Sequence, residues 1–334
     1  MEFKEIFAIL KGIEYNRKQY DLFVNSAEGG CTDTCKKAGG FTLSQQDFVI
    51  ITDVTTDFTP DMAKKLGVDI IPMEFMIDGV SYFHYPDGRE MSMNAFYQQI
   101  KAGKMPTTTQ INQAAYQKRF TPILKEGKDI LYICFSSGLS STWQSSCLAA
   151  RELEEEFPGR RVCSVDSRCA SAGEGLLVLY AVRMKEQGAS MDEIAKWIEE
   201  NRDKVCHWVL VDDLKHLHRG GRLPAVAAVA GIALGIKPII RVTEEGKLEA
   251  IGKVRGRKKG VDYLLKKIEE TCPNPRESII WVVHTDCEPE AKDFCKTIKS
   301  MYHPKELYLS EIGPIIGAHT GPNVLAVVFL GTHK

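Results

Sequence analysis

From residue 47 onward, short apolar runs of strand length alternate with longer segments of helical periodicity. That alternation restricts the fold more than any other feature of the chain. Phe48–Thr52, Asp129–Phe135 and Arg161–Val165 each suit a buried strand. Between them the spacing predicts helices from Thr59-Pro60 through Leu66, from Ser92 to about Ala102, from about Asn112 to Leu124, and from about Ser141 to Glu156. A long helix over about 169–187 follows. Asp69–Met76 and Val80–Phe83 read as strands around an Asp78-Gly79 turn. A succession of this kind predicts a parallel sheet with helices on both faces.

The second half has a different rhythm. Met191–Arg202 reads as a helix, Cys206–Asp212 as a strand, and Ala225–Leu234 as a buried Ala/Val-rich segment. Ile239–Thr243 and Leu248–Val254 flank Glu244-Glu-Gly-Lys247 as a hairpin, followed by a basic helix over about 258–271. Strand Ser278–His284, helix Glu288–Met301 and strands Glu306–Glu311 and Val324–Phe329 complete the chain. A hairpin among alternating helices predicts a mixed-sheet α/β domain. A length of 334 residues suits two domains plus an extension. The expected organisation is therefore an extension over 1–46, a parallel-sheet α/β domain over 47–188 and a mixed-sheet α/β domain over 189–334. Within the extension, Phe3, Ile6, Phe7, Leu10, Ile13 and Tyr20 have the spacing of an amphipathic helix over 2–24, joined to the body by a Gly-rich connector.

Charge removes several classes of function. With 43 Lys plus Arg against 44 Asp plus Glu, the chain has no basic footprint for nucleic acid or an anionic membrane. No apolar run approaches the length of a bilayer span, so no stable membrane insertion is expected. Residues 1–25 carry charges throughout and lack a signal-peptide core, which makes the cytoplasm the expected compartment. The ten cysteines are then thiols, several of them inside apolar stretches. Cys31 and Cys35 form the only close pair with polar neighbours, and no second pair gives zinc spacing. No metal and no cofactor are expected.

In open α/β sheets ligands bind beyond the carboxyl ends of the strands. Asp53-Val-Thr-Thr-Asp57, Ser136-Ser-Gly-Leu-Ser-Ser-Thr142 and Asp166-Ser167 each follow a predicted strand, and Pro106-Thr-Thr-Thr-Gln110 precedes a helix. One sheet edge thus gathers hydroxyls and helix N-termini but few fixed cations, the chemistry of a carboxylate or phosphate site. Each run taken alone is more simply an ordinary helix cap. Ser137 and Ser140 lack the G-x-S-x-G elbow of a hydrolase, and no P-loop or dinucleotide fingerprint is present. His216 and His218 have no zinc pattern beside them, and His319 falls in a Gly-rich turn context, where a structural hydrogen bond is the simpler role. The chain reads as a binder with no catalytic template, although a serine-dependent acyl hydrolase or transferase using Ser140 or Ser137 with His319, or a binder of another small lipid anion, stays open.

Taken together over 47–332, these runs resemble the DegV family, which includes the fatty-acid-binding subunits of bacterial fatty acid kinase. Asp53-Val-Thr-Thr-Asp57, Pro106-Thr-Thr-Thr-Gln110, Ser136–Gln144, Val165-Asp-Ser167, Leu214–Leu223 with its Gly220-Gly-Arg222, Gly235–Ile239 and Ala318-His-Thr-Gly-Pro322 match family motifs in family order. The resemblance implies an acyl chain in a tunnel between two α/β domains, with its carboxylate held by Thr108 and Ser140 and His319 beside them. Asp53, Thr55, Thr109, Ser137, Gly138 and Ser167 fall in the neighbouring loops, and Arg222 is expected at the mouth, facing a phosphate or partner. It implies further that the chain is not itself an enzyme and presents its long-chain fatty acid to a separate ATP-binding kinase, in phospholipid metabolism. Val54, Thr109, Ser141 and Asn323 depart from the usual motif residues, as does the extension. Val54 removes one hydroxyl, and Asn at 323 tolerates a left-handed backbone.

Overall fold

The computed structural model describes residues 47–223 and 235–334. The expected helix over 2–24, the Cys31–Cys35 pair and the apolar segment 225–234 lie outside them. The described residues belong to one compact unit, Gln45–Lys334.

The first half builds around β1 (Phe48–Asp53), β2 (Asp69–Ile71), β6 (Asp129–Cys134) and β7 (Val162–Asp166), all parallel in the order β2-β1-β6-β7. The segment expected as one strand from Asp69 to Met76 is two. Pro72 has no N–H for a ladder, and there the chain leaves β2 for β3 (Met73–Ile77). β3 pairs antiparallel with β4 (Val80–His84) and with a two-residue strand, β5 (Thr107–Thr108). The threonine run expected as a loop is thus anchored at its centre, Thr108 opposite Phe75. Helices α1 (Pro60–Leu66), α2 (Met93–Lys101), α3 (Gln113–Lys125) and α4 (Thr142–Glu156) fall where the periodicity predicts. Thr59, Ser92 and Asn112 cap the first three through their side chains.

α5 (Ala172–Glu186) explains how the halves join. Every residue from Ala172 to Val182 except Tyr180 is buried, and a helix apolar all round needs cover on every side. Leu176 and Leu177 share one core with Leu131 and Ile133 of the parallel sheet and with Trp281, Val283 and Val328 of the second sheet. Phe58 stacks on Trp281 across this seam, with centroids 5.8 Å apart. α6 (Met191–Asn201) buries Ile194 and Ile198 in the same core, and Arg161 beside β7 pairs with Asp192 at its start. α6 therefore packs with the parallel sheet, although the expected division at 188/189 assigns it to the second domain.

The second sheet is mixed, in the order β10-β9-β8-β13-β11-β12. Its strands are β8 (Val205–Leu210), β9 (Ile236–Val242), β10 (Leu248–Arg255), β11 (Ile279–His284), β12 (Glu306–Glu311) and β13 (Leu325–Leu330). Only β11 and β12 run parallel. Around it lie α7 (Lys215–Arg219), α8 (Arg257–Thr271), α9 (Glu288–Tyr302) and α10 (Pro314–Thr320). The Glu244–Lys247 turn joins β9 to β10 as expected.

Candidate functional site

Between the two sheets lies a cavity of about 620 Å³. Its floor is aliphatic, built from Val209, Ile240, Val324, Ala326, Val328 and Val283 of the second sheet. Its polar residues gather where β5, the Ser136–Ser140 loop, α7 and α10 converge. Thr108, Thr109, Ser137, Gly138, Ser140, Arg222 and His319 all line it. Asp53, Thr55 and Ser167 do not; they are buried behind the loops.

His319 lies in the last turn of α10, not in the turn expected from its glycine neighbours. Its Nε2 is 2.8 Å from Thr108 Oγ1, and its Nδ1 is buried without a partner. Gly220 packs so closely on that edge that any side chain there would overlap the ring. Burial, with Arg222 and Arg219 nearby, pushes the His319 pKa down to about 4, so the ring is neutral near pH 7. An orphan N–H is rarer in buried sites than an orphan acceptor, which assigns the proton to Nε2. His319 then donates to Thr108, and the Thr108 hydrogen is left to point into the cavity.

Ser140 Oγ accepts from the Thr142 N–H at 3.3 Å and lies 2.7 Å from Thr142 Oγ1. With Thr142 donating, Ser140 too has a hydrogen for a ligand. Arg222 sends Nε to the Leu139 carbonyl at 3.1 Å and Nη1 to that of Gly220 at 2.6 Å. No carboxylate pairs with it among the described residues. The guanidinium is thus a half-buried cation lining the cavity, its pKa lowered by that burial. Ser137 is committed elsewhere: its N–H and hydroxyl both go to Asp166, at 3.0 and 2.6 Å. Neither Ser137 nor Ser140 has a histidine hydrogen-bond partner among the described residues.

The loops are held from below. Ser136 Oγ donates to the Gly246 carbonyl at 2.7 Å, which fastens the β9–β10 turn over the loop. Gly138 sits against Glu245 and Gly246, where a side chain would overlap the turn. Asp53 accepts from the N–H and hydroxyl of Thr55, from Tyr132 Oη at 2.9 Å and from the Phe135 N–H at 3.2 Å. Burial raises its pKa and those donors oppose the rise. Asp57 accepts from Ser171 at 2.5 Å and from the Gly313 N–H at 2.9 Å, tying the first loop to the start of α10. Val54 is buried in the apolar core, and Asn323 takes the left-handed backbone with φ 61°, so both departures are accommodated.

Glu174 gives no sequence signal beyond a lone acid in an apolar helix. It is fully buried, 3.0 Å from Thr52 Oγ1 and 2.8 Å from Thr55 Oγ1. Thr55 has one hydrogen but also touches Asp53. A proton on Glu174 resolves the conflict: Glu174 donates to Thr55, which donates to Asp53. Burial and the neighbouring Asp53 charge both raise its pKa well above the ordinary range.

Fold and site together define an α/β protein with a largely apolar cavity between its sheets and a hydroxyl-lined, arginine-flanked end. The chain belongs to the DegV family: the family model described as "Uncharacterised protein, DegV family" matches residues 47–332. A DegV domain-containing protein of Clostridium perfringens is 41% identical over 86% of this chain and 98% of its own length. Among solved structures, a fatty-acid-binding DegV family protein from Thermus thermophilus superposes with a TM-score of 0.77 and 29% identity, covering 85% of this chain and 99% of that one. DegV of Bacillus subtilis, described as a fatty acid binding protein, superposes with a TM-score of 0.75 and 26% identity, covering 86% and 100%.

Proposed function

We propose that this chain binds a long-chain fatty acid, with the acyl tail in the cavity and the carboxylate at Thr108 and Ser140. The observation that carries the reading is the pairing of an aliphatic cavity with two hydroxyls, Thr108 and Ser140, lining its polar end. A cavity of about 620 Å³ falls within the roughly 300–1,000 Å³ of small-molecule sites. The tail supplies most of the affinity, about 0.8 kcal/mol per buried methylene or roughly 12 kcal/mol for a tail of about fifteen. Association and ordering offset several of these. Each hydrogen bond to the carboxylate adds roughly 1.5–3 kcal/mol and fixes orientation. Fatty-acid binding by the Thermus and Bacillus proteins supports the reading.

The finer proposal is that the chain works in the cytoplasm without catalysis or cofactor of its own, presenting the carboxylate to a separate ATP-dependent kinase that forms an acyl phosphate. Arg222 supports it as a cation lining the cavity with no carboxylate partner among the described residues, suited to the added charge of a phosphorylated head. Denaturing the purified protein, extracting it and identifying the lipid by mass spectrometry tests the first proposal. Absence of fatty acid, together with failure to bind added oleate or palmitate, overturns it. Turnover coupled to a fatty acid kinase tests the second, with loss expected for Arg222→Ala. Unchanged turnover and acyl-phosphate retention would remove that role for Arg222.

A further inference from the structure

The cavity floor is ordered by strand register. Val324, just before β13, and Ala326 and Val328 within it mark successive steps away from the Thr108–His319 end, over about 14 Å at the rise of an antiparallel strand. Ala326 lies opposite Val209, and Val209 opposite Ile240. One step deeper Val328 lies opposite His207, and continuing the same register sets Val242 beside it. In this row, His207 stands between two valines.

The imidazole is held at both nitrogens. Nδ1 lies 3.0 Å from the Val205 carbonyl, and Nε2 faces the Ala170 peptide, 3.2 Å from its oxygen and 3.5 Å from its nitrogen. The ring is fully buried, and burial pushes its pKa down to about 3, so it is neutral. On the far side Gly173, in the first turn of α5, packs so tightly that a methyl group there would overlap the ring. Both nitrogens are spent on backbone, so the ring offers the cavity no free hydrogen-bonding group.

We propose that the Gly173–His207 pair sets the depth of the tunnel, selecting acyl chains of one maximum length with a plain methyl end. The inference rests on the fatty-acid reading above. Gly173 leaves room for the ring to lie back, and the ring stops the terminal methyl. A chain ending in a hydroxyl or second carboxylate would bury that group against valines and an imidazole whose two nitrogens already face backbone groups.

The test is equilibrium binding of the delipidated full chain to saturated fatty acids of increasing length, with the ω-hydroxy acid of each length alongside. The wild type is expected to show one optimum and to reject the ω-hydroxy acids. Gly173→Ala pushes the ring inward and shifts the optimum shorter by about two carbons, weakening the longest wild-type ligand about tenfold. His207→Ala shifts it longer, and the double variant Gly173→Ala/His207→Ala follows His207→Ala, because the methyl then has no ring to displace. An optimum unchanged in both His207→Ala and the double variant overturns the proposal while leaving fatty-acid binding intact. A wild type that binds no member of the series overturns the fatty-acid reading as well.

Discussion

At the scale of single residues, two protons decide how the site behaves. The first is on Thr108, freed toward the ligand because neutral His319 donates to the threonine oxygen. Thr108→Ala removes one hydrogen bond to the carboxylate and leaves the tail contacts in place. Its dissociation constant is expected to rise by roughly ten- to a hundredfold, with lipid still retained on purification. Titration with a fluorescent fatty acid checks this, and an emptied cavity would assign the larger share of affinity to the head. The second proton is on Glu174. Its folded pKa lies above its ordinary value of 4.5, so above pH 4.5 the folded state holds a proton the unfolded chain has released. Stability contributed by this group is therefore complete below about pH 4.5 and declines by about 1.4 kcal/mol per pH unit above it, until Glu174 ionises in the fold. Glu174→Gln removes that slope, so the variant gains on the wild type as pH rises. Chemical denaturation of both proteins from pH 5 to pH 8 reads the difference, and parallel curves would place an ionised Glu174 in the core.

At the scale of elements, the β9–β10 hairpin is the piece that closes the cavity over the Ser136–Ser140 loop. Its turn is fastened by Ser136 and fits only because Gly138 has no side chain. Gly138→Ala forces the turn away from the loop. A cost of roughly 1–3 kcal/mol in stability and faster ligand release are expected, although Gly138 offers no hydrogen-bonding side chain to the ligand. Stopped-flow displacement of a bound fluorescent fatty acid measures the release. An unchanged rate would show that the hairpin does not gate the tail. The same close fit explains why this glycine was legible as part of a loop motif while its purpose was not: its neighbour, Gly246, is 108 positions away in the chain.

At the scale of the whole molecule, the cavity is a void between two sheets, and filling it couples ligand to stability. A fatty acid at about a hundred times its dissociation constant is expected to stabilise the fold by about 2.7 kcal/mol. Calorimetry of delipidated protein with and without added palmitate reads this as a rise in melting temperature. A transition that does not move would mean that the cavity is not where the lipid sits. α5 makes such coupling physical, since its buried surface is shared by the two sheets that enclose the ligand.

The order of strands and helices was open to reading along the chain, because a strand's alternation and a helix's period are local properties of side-chain polarity. So were the helix caps at Thr59, Ser92 and Asn112, whose partners lie within three residues. The motif loops were visible for the same reason, and their hydroxyls pointed to an anion. Which hydroxyls face the cavity was not visible. Thr108 meets His319 across 211 positions, Asp53 turns inward to Tyr132, and Ser137 is taken by Asp166, and only tertiary packing makes these choices. The position of His207 beside Val328 on the floor is likewise set by the register of β8 against β13. Polarity pattern alone determined the α/β architecture and the chemistry available at one edge. Packing decided which of those groups are spent holding the fold and which remain for a ligand, because a hydroxyl has one proton and distant partners compete for it.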